Sequence, residues 1–309
     1  MLRRTISVAL LAALAAAGVY WWLSAPVVAA AGTAPARVPD LANGQVMFNA
    51  GGCASCHAVP DQPDRLRLGG GVAIKSPFGT FYAPNISSDP TDGIGKWSEA
   101  EFVNAVMHGV GPDGRHYFPA FPYTSYQHAR REDVLDLFAY LKTLPAVAGK
   151  VRDHDVRFPF NIRRNVGIWK FLFLDGKPFV ANSAKSPQWN RGAYLVNSFG
   201  HCAECHSPRN ALGGIIAGQR FAGGPNPEGE GWVPNITQKG LGEWSAKDIA
   251  YFLKTGELPD GDSVGGAMTR VIKNTSQLPE DDLAAMADYL KSLPPVDGPP
   301  RPKRKEGGA

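Results

Sequence analysis

The sequence is poor in cysteine, in net charge and in nucleotide-binding motifs. Its four cysteines among 309 residues are too few for a fold held together by disulfides. Lys and Arg number 32 against 28 Asp and Glu, so the chain lacks the basic excess of a nucleic-acid-binding protein. No Gly-x-Gly-x-x-Gly segment opens a helix after a strand, which excludes a dinucleotide site of that kind. What remains is a 44% hydrophobic chain that can bury a core, and its length predicts two domains.

One long hydrophobic run covers residues 5–23, close to the ~20 residues that cross a bilayer as a helix. Arg3 and Arg4 precede the run, and Trp21 and Trp22 end it where an aromatic belt would lie. Because the arginines stand before the run, the N-terminus is predicted to stay inside. The rest of the chain would then lie in the periplasm, outside the cell inner membrane.

Two interpretations of this N-terminal segment remain. In the first, residues 1–24 are a single uncleaved membrane anchor, and residues 25–39, rich in Ala and Pro, are a flexible tether. In the second, the run is a signal peptide cleaved near residues 29–31, which leaves a soluble periplasmic protein. The length of the run favours the anchor, since the apolar part of a signal peptide usually spans ~7–15 residues.

The remaining sequence contains the same motifs twice, in the same order. The matching segments are 53–57 with 202–206, 84–87 with 234–237, 97–98 with 244–245, and 140–145 with 289–294. Such agreement indicates a tandem duplication of one domain. We predict domains at 40–148 and 188–297, a linker at 149–187 that packs because it is rich in aromatic residues, and a tail at 298–309. Helical spacing of the apolar residues makes each copy mostly α, with long loops.

Each copy carries one Cys-x-x-Cys-His motif, the attachment signature of c-type haem. The cysteines are expected to form thioethers and the histidines to bind iron: Cys53, Cys56 and His57 in the first copy, and Cys202, Cys205 and His206 in the second. A zinc site made of the four cysteines would leave both histidines unexplained. A redox dithiol would be expected in a βαβ unit, which neither copy shows. The predicted cofactors are therefore two covalently bound haem c groups.

The second haem has one clear candidate for its sixth ligand. Met268 lies in a Gly-rich stretch, off any apolar helical face, and is predicted to be on a loop. A methionine thioether opposite a histidine is common in electron-transfer cytochromes. Met268 is therefore predicted to bind the second iron.

The first haem has no equivalent methionine, because Phe121 occupies the position that matches Met268. His116, five residues earlier, is the first candidate, since imidazole is the other common axial group. Met107 is the next candidate. The remaining possibilities are His108, His128 and an iron with an open position.

Several segments are similar to one known family, the membrane-bound multihaem cytochrome c subunits of periplasmic alcohol, gluconate and aldehyde dehydrogenases. The matching segments are 51–57, 77–80, 119–126, 189–196 and 201–210. The resemblance implies a mostly α fold, a tandem pair of class I cytochrome c-like domains with an N-terminal transmembrane helix. The family usually has three haem motifs where this sequence has two, and its Pro-Ala-Met-Pro motif, which supplies the first axial methionine, has Phe121 here.

The resemblance implies a dihaem electron-transfer subunit with no catalytic residue of its own. Its partners would be a dehydrogenase catalytic subunit as donor and quinone or another cytochrome as acceptor, at the membrane. The alternative is a haem enzyme, peroxidase-like or thiosulfate-oxidising, that uses a first haem lacking the Met ligand. Unequal axial ligands predict two haems of unequal reduction potential.

Overall fold

The computed structural model describes residues 2–28, 37–229 and 231–301. Most of the predicted tether at 25–39, including the possible cleavage segment, lies outside the described residues. Most of the predicted tail at 298–309 lies outside them as well.

Helices dominate the described part of the chain, which confirms the predicted mostly α fold. The N-terminal helix and the first half contain α1 (Leu2–Leu23), α2 (Leu41–Ala50), α3 (Cys53–His57), β1 (Ala73–Ser76), β2 (Gly79–Tyr82), α4 (Glu99–His108), α5 (Tyr123–Tyr126) and α6 (Arg131–Thr143). The linker contains β3 (Asp155–Val156) and α7 (Asn165–Phe173). The second half contains α8 (Pro187–Asn197), α9 (Ala203–His206), a 3-10 helix (Ala217–Gln219), β4 (Gly224–Pro225), β5 (Trp232–Val233), α10 (Gln238–Leu241), α11 (Ala246–Thr255), α12 (Met268–Thr275) and α13 (Glu280–Lys291).

The two halves repeat the same helix packing. Helix α2 lies against α6 in the first half, and α8 lies against α13 in the second. Each contact has a glycine where the two backbones approach closely: a Cβ at Gly44 would overlap the carbonyl of Asp136, and a Cβ at Gly192 would overlap that of Ala285. Each helix pair closes one half around the Cys-x-x-Cys-His segment that follows its first helix.

Replacing Gly192 by alanine is expected to destabilise the second half, because the methyl group would push α8 away from α13. Overpacked sites cost ~1–3 kcal/mol of unfolding free energy, and the backbone contact here predicts a loss near the upper end, about 3 kcal/mol. Denaturant unfolding followed by circular dichroism measures the loss. Gly218→Ala is the matched control, because nothing lies within 4 Å of a Cβ there. Equal losses in both variants would contradict the close-packing explanation.

The halves share one hydrophobic core and also meet through polar contacts. Phe199 of the second half packs on Tyr126 of the first, with ring centroids 5.7 Å apart. The Tyr194 hydroxyl donates to Asp133 Oδ2 at 2.5 Å and accepts from the Arg130 N–H at 3.1 Å. These contacts hold the two halves in a fixed relation.

The linker contacts both halves. Strand β3 pairs with β2 and extends the first half's hairpin to three strands. In α7, the Lys170 ammonium donates to the carbonyls of His108 and Gly109 at 2.6 and 2.7 Å. The Trp169 indole N–H donates to the Leu212 carbonyl of the second half at 2.8 Å. The linker is therefore built into the fold.

Helix α1 is long and apolar enough to cross a membrane and could be an anchor. It has 22 residues and a mean hydropathy of 1.9, and its apolar stretch is not buried against the rest of the chain. Its C-terminal end, in contrast, is attached. The Tyr20 hydroxyl donates to Asn165 Oδ1 at 2.8 Å, and the buried Ser24 accepts a hydrogen bond at its carbonyl from His116 Nε2 at 2.9 Å.

Candidate functional site

A cavity of about 1810 Å³ is lined from both halves and from the linker. A pocket for one drug-sized ligand is typically ~300–1,000 Å³, so this cavity has room for two large ligands. The predicted attachment and iron-binding residues that line it are Cys53, Cys56, His57, Cys202, Cys205, His206 and Met268. At one side the lining reaches Tyr20, near the end of α1.

The cysteine pairs have the geometry and chemistry of attachment points. Each pair lies on one helical turn, where residues three apart project to the same side. None of the four cysteines is in a disulfide. Burial raises the pKa of Cys53 to about 12 and that of Cys205 to about 12, whereas a redox-active thiol needs a lowered pKa. Across residues 2–28, 37–229 and 231–301, no cluster of three or more His, Cys, Asp or Glu could hold a metal ion.

The two motif histidines make the same hydrogen bond. His57 Nδ1 donates to the Pro84 carbonyl at 2.8 Å, and His206 Nδ1 donates to the Pro234 carbonyl at 2.8 Å. Because the acceptor is a carbonyl, the proton is on Nδ1, and Nε2 keeps the lone pair that an iron ion needs. Burial lowers the pKa of both imidazoles, which keeps them neutral.

Matching asparagines hold the loops that present these carbonyls. Asn85 Nδ2 donates to the Val147 carbonyl at 2.7 Å, and Asn235 Nδ2 donates to the Val296 carbonyl at 2.8 Å. Each asparagine thereby joins the loop beside its motif histidine to the end of its own half. This bracing explains the recurrence of Pro-Asn in both copies.

Met268 is the first residue of α12 rather than part of a loop, which corrects the predicted local structure. Its half-buried side chain packs against the core and lines the cavity. Phe121 lines the same cavity from the first half, with its ring edge-on to Tyr117 at 6.2 Å and to Tyr126 at 5.6 Å. Where the second half presents a thioether, the first presents an aromatic ring.

His116, the first candidate for the remaining axial position, is not brought to the cavity lining. The buried ring donates from Nε2 to the Ser24 carbonyl, and its Nδ1 accepts from the Lys170 ammonium at 3.1 Å. Both ring nitrogens therefore already have hydrogen-bond partners within the protein, and His116 as an iron ligand stays a prediction. The other residues considered for that position, which also lie outside the lining, are Met107, His108 and His128.

Two further histidines, His154 and His201, line the cavity. His154 of the linker accepts from the Tyr82 N–H at its Nδ1, at 3.1 Å. His201 Nε2 donates to the Gly51 carbonyl at 3.2 Å and so reaches from the second motif to the first. His201 is signalled by its place directly before Cys202. His154 has no signal, because it lies outside both copies and has no counterpart in the repeat.

Glu204, between the cysteines of the second motif, is a buried carboxylate that joins the halves. Its Oε1 accepts from the hydroxyls of Thr124 at 2.5 Å and Ser125 at 2.9 Å, and its Oε2 accepts from Arg209 at 2.7 Å. Burial raises the pKa of Glu204. The Arg209 charge and these hydrogen bonds lower that pKa by a larger amount, so the net shift is downward. The ionised carboxylate therefore ties the second motif to α5.

Two covalent attachment sites on a duplicated helical fold define a c-type cytochrome. The family model for cytochrome c matches residues 41–145 and 190–294, more than half of the chain, and the chain belongs to this family. It carries two c-type haems, for which the described cysteines and histidines supply the expected donor set.

The similar proteins are multihaem cytochromes and dehydrogenase subunits. A diheme cytochrome c-type protein of Cereibacter sphaeroides is 46% identical over 298 residues, covering 96% of this chain and 100% of that protein. The fructose dehydrogenase cytochrome subunit of Gluconobacter japonicus is 37% identical over 84% of this chain and 54% of its own length. The cytochrome c subunit of alcohol dehydrogenase (quinone) of Gluconacetobacter polyoxogenes is 38% identical over 86% of this chain and 59% of its own length. The chain thus spans a little over half of those two subunits, and the predicted resemblance to multihaem cytochrome subunits is confirmed.

Proposed function

We propose that this protein passes electrons from a dehydrogenase catalytic subunit, through its two haems, to quinone or another cytochrome. Relatives that are cytochrome subunits of dehydrogenases support the donor side. The observation that carries the proposal is that both attachment motifs line one cavity and that the segments around them are in contact. Besides the bond from His201 to Gly51, the Ser55 hydroxyl donates to the Arg270 carbonyl at 3.1 Å and accepts from Asn274 Nδ2 at 2.6 Å.

The donor is identified by affinity purification of the full-length protein from detergent-solubilised membranes. A dehydrogenase catalytic subunit is expected to copurify, and its substrate should reduce both haems. Purification of the cytochrome alone under the same mild conditions, with no such reduction in the membrane, would contradict the proposal.

The two sites are proposed to differ in reduction potential. A bound haem supplies a one-electron iron couple, and the protein sets its potential through the axial ligand and the surroundings. Cys202, Cys205, His206 and Met268 would hold the second haem, where the thioether raises the potential. The first haem would be held by Cys53, Cys56 and His57, with Phe121 on the side that lacks a thioether.

Potentiometric titration of the purified protein is expected to resolve two one-electron steps. The higher step belongs to the second haem because of its thioether ligand. Absorbance at the α-band of the reduced haem follows the titration, with a control in denaturant that makes both haems solvent-exposed. Two equal high-potential steps in the native protein would contradict the assignment.

Replacement of His116 by alanine is expected to leave the spin state of the first haem unchanged, because both ring nitrogens are bonded within the protein. The variant should instead lose the hydrogen bonds to Ser24 and Lys170, each worth about 1 kcal/mol of unfolding free energy. Electron paramagnetic resonance and thermal unfolding measure the two effects. Conversion of one haem from low to high spin would restore His116 as a ligand.

The structure favours a membrane-soluble acceptor over a soluble one. The cavity lining extends along Val166, Trp169 and Leu172 of the linker to Tyr20 of α1, which would stand at the membrane surface. In reconstituted vesicles, the reduced protein should be reoxidised by a long-chain quinone in the lipid. Reoxidation by a soluble cytochrome c but not by the quinone would contradict this acceptor.

We propose that α1 is retained as an anchor in the inner membrane, with both haem domains, at 40–148 and 188–297, in the periplasm. A discarded signal peptide has no need of specific contacts, yet Tyr20 and Ser24 are hydrogen-bonded to Asn165 and His116. The intact mass of the purified protein is expected to include residues 2–23. A mass that corresponds to a chain starting after residues 29–31 would instead indicate a cleaved signal peptide and a soluble protein.

The second candidate function is a haem enzyme, and Phe121 is the observation that favours it. An aromatic ring cannot bind iron, so a substrate or peroxide could reach the first iron. A high-spin ferric haem that binds cyanide at micromolar concentration would support this function. Two low-spin haems that bind neither cyanide nor peroxide would exclude it.

A further inference from the structure

Apolar side chains are exposed around the point where α1 meets the linker. Ile162, Phe171 and Leu172 expose 41%, 65% and 55% of their surfaces. Exposed apolar groups that lie together on a folded domain mark an interaction surface. We call these three residues the linker face.

The linker face lies close to the end of α1. The Arg164 guanidinium stacks on Trp21, 3.5 Å from the ring centroid, and donates to the Trp21 carbonyl at 2.6 Å. A Cβ at Gly167 would overlap the backbone that directly follows α1. Ile162 is two residues from Arg164, at most ~7 Å of extended chain. Phe171 is four helical residues from Gly167, ~6 Å along the axis of α7.

The separations of Ile162 from Arg164 and of Phe171 from Gly167 are similar to the thickness of a lipid headgroup layer. Tryptophans at the end of a membrane span sit at the membrane–water interface, which is where Trp21 and Trp22 would lie. The headgroup layer on each side of the hydrocarbon core is ~5–7 Å thick. Interfacial helices bury their apolar face ~5–10 Å into the boundary between headgroups and acyl chains. The linker face is therefore within reach of that boundary.

The charge of the segment fits an anionic lipid surface. Residues 156–174 contain no Asp or Glu; Arg157 is exposed and Arg164 lies at Trp21, whereas Arg163 donates to the His116 carbonyl at 3.0 Å. Lys170 is turned inward, onto the carbonyls of His108 and Gly109. Basic residues beside a membrane span are attracted to anionic headgroups within about one Debye length.

We propose that the linker face docks on the outer surface of the bilayer, with Ile162, Phe171 and Leu172 inserted among the lipid headgroups. This inference rests on the proposed retention of α1. The protein is then held at two points, the anchor and the linker face, rather than by a single flexible tether. Two points of attachment turn the side of the cavity near Tyr20 and Leu172 toward the membrane.

The test uses the full-length holoprotein in nanodiscs that contain anionic lipid. The photoreactive residue p-benzoylphenylalanine replaces Phe171 in one sample and Tyr251 in the other. Tyr251 is the matched control, an aromatic residue of α11 that is 54% exposed and makes no described contact with α1 or α7. After irradiation, mass spectrometry is expected to find at least ten times more lipid adduct at position 171 than at 251. Equal adducts, or none at 171, would overturn the proposal.

A second measurement separates this proposal from that of the anchor. The intact mass reports whether α1 is present. If α1 is present and position 171 forms no lipid adduct, the proposal for the linker face is wrong and the proposal for the anchor is supported. If α1 has been removed and the protein still floats with anionic vesicles, the anchor fails while the linker face stands. Loss of that flotation in Ile162→Asp/Phe171→Asp, two positions outside the cavity lining, with unchanged haem spectra, assigns it to the linker face.

The alternative occupant of the linker face is a protein partner. In native membranes, position 171 could form an adduct with a dehydrogenase subunit and none with lipid. That result would overturn docking on the bilayer and show that the linker face binds the subunit. Lipid adducts in both nanodiscs and native membranes are the result expected for docking on the bilayer.

Discussion

The variant Met268→Leu is expected to lose the high-potential step of the redox titration. The half-buried thioether at the start of α12 lines the haem cavity, and leucine has a similar volume but no donor atom. Loss of the methionine ligand should lower the potential of the second haem by on the order of 100 mV, a modest part of the ~0.8 V that axial ligands span. The second haem should also become high-spin and still remain covalently attached, because its cysteines are unchanged.

Met107→Leu is the matched control for this prediction. Met107 packs against the core outside the cavity lining, so both potentials and both spin states should stay as in the wild type. A shift of the first haem in Met107→Leu would instead make Met107 its ligand. An unchanged titration curve in Met268→Leu would show that Met268 is not a ligand of the second iron.

Truncation of Glu204 to alanine is expected to cost about 3 kcal/mol of unfolding free energy at neutral pH. Breaking a buried ion pair typically costs ~3–5 kcal/mol, because the remaining charge is left without a partner. Here the remaining charge is the Arg209 guanidinium, and the hydroxyls of Thr124 and Ser125 lose their acceptor as well. Urea unfolding of the holoprotein measures the loss. Asp113→Ala, which breaks an exposed pair with Arg115, is the control and should change stability by ~0–1 kcal/mol.

The stabilisation by Glu204 should depend on pH in a defined direction. Its pKa in the folded protein is lowered, so the stabilisation is fully present above the ~4.3 of an unfolded glutamate. It is lost as the pH falls through the lower value of the folded state. The difference in unfolding free energy between wild type and Glu204→Ala should therefore be constant from about pH 6 to 8 and shrink below about pH 4. A difference that grows on acidification would contradict an ionised carboxylate.

The repeat and the Cys-x-x-Cys-His motifs could be predicted from sequence because their signals are local. Five residues contain both attachment points and the iron-binding histidine, and helix α2 ends where the apolar spacing ends, at Ala50. The capping box of Ser98 with Glu101 and its counterpart, Ser245 with Asp248, begin equivalent helices for the same local reason.

The features that the sequence does not reveal depend on distant contacts or on very short elements. The closeness of His116 to Phe121 in sequence makes it a candidate ligand, but it does not reveal the two residues that are hydrogen-bonded to its ring, Ser24, 92 residues away, and Lys170, 54 residues away. The preceding glycines predict a loop at Met268, yet its backbone begins α12. Strands β1 and β2 are not predicted from the sequence either, since four-residue strands carry little alternating pattern.

The equal hydrogen bonds of His57 and His206 to proline carbonyls have a consequence for comparing the two haems. Electron donation from each imidazole is tuned by the same group at the same 2.8 Å, so the contribution of this side should cancel when one iron is compared with the other. The first haem thereby serves as an internal reference for the second. We therefore expect a difference in potential between the two haems to arise from the rest of their surroundings, where the first half presents Phe121 and the second presents Met268.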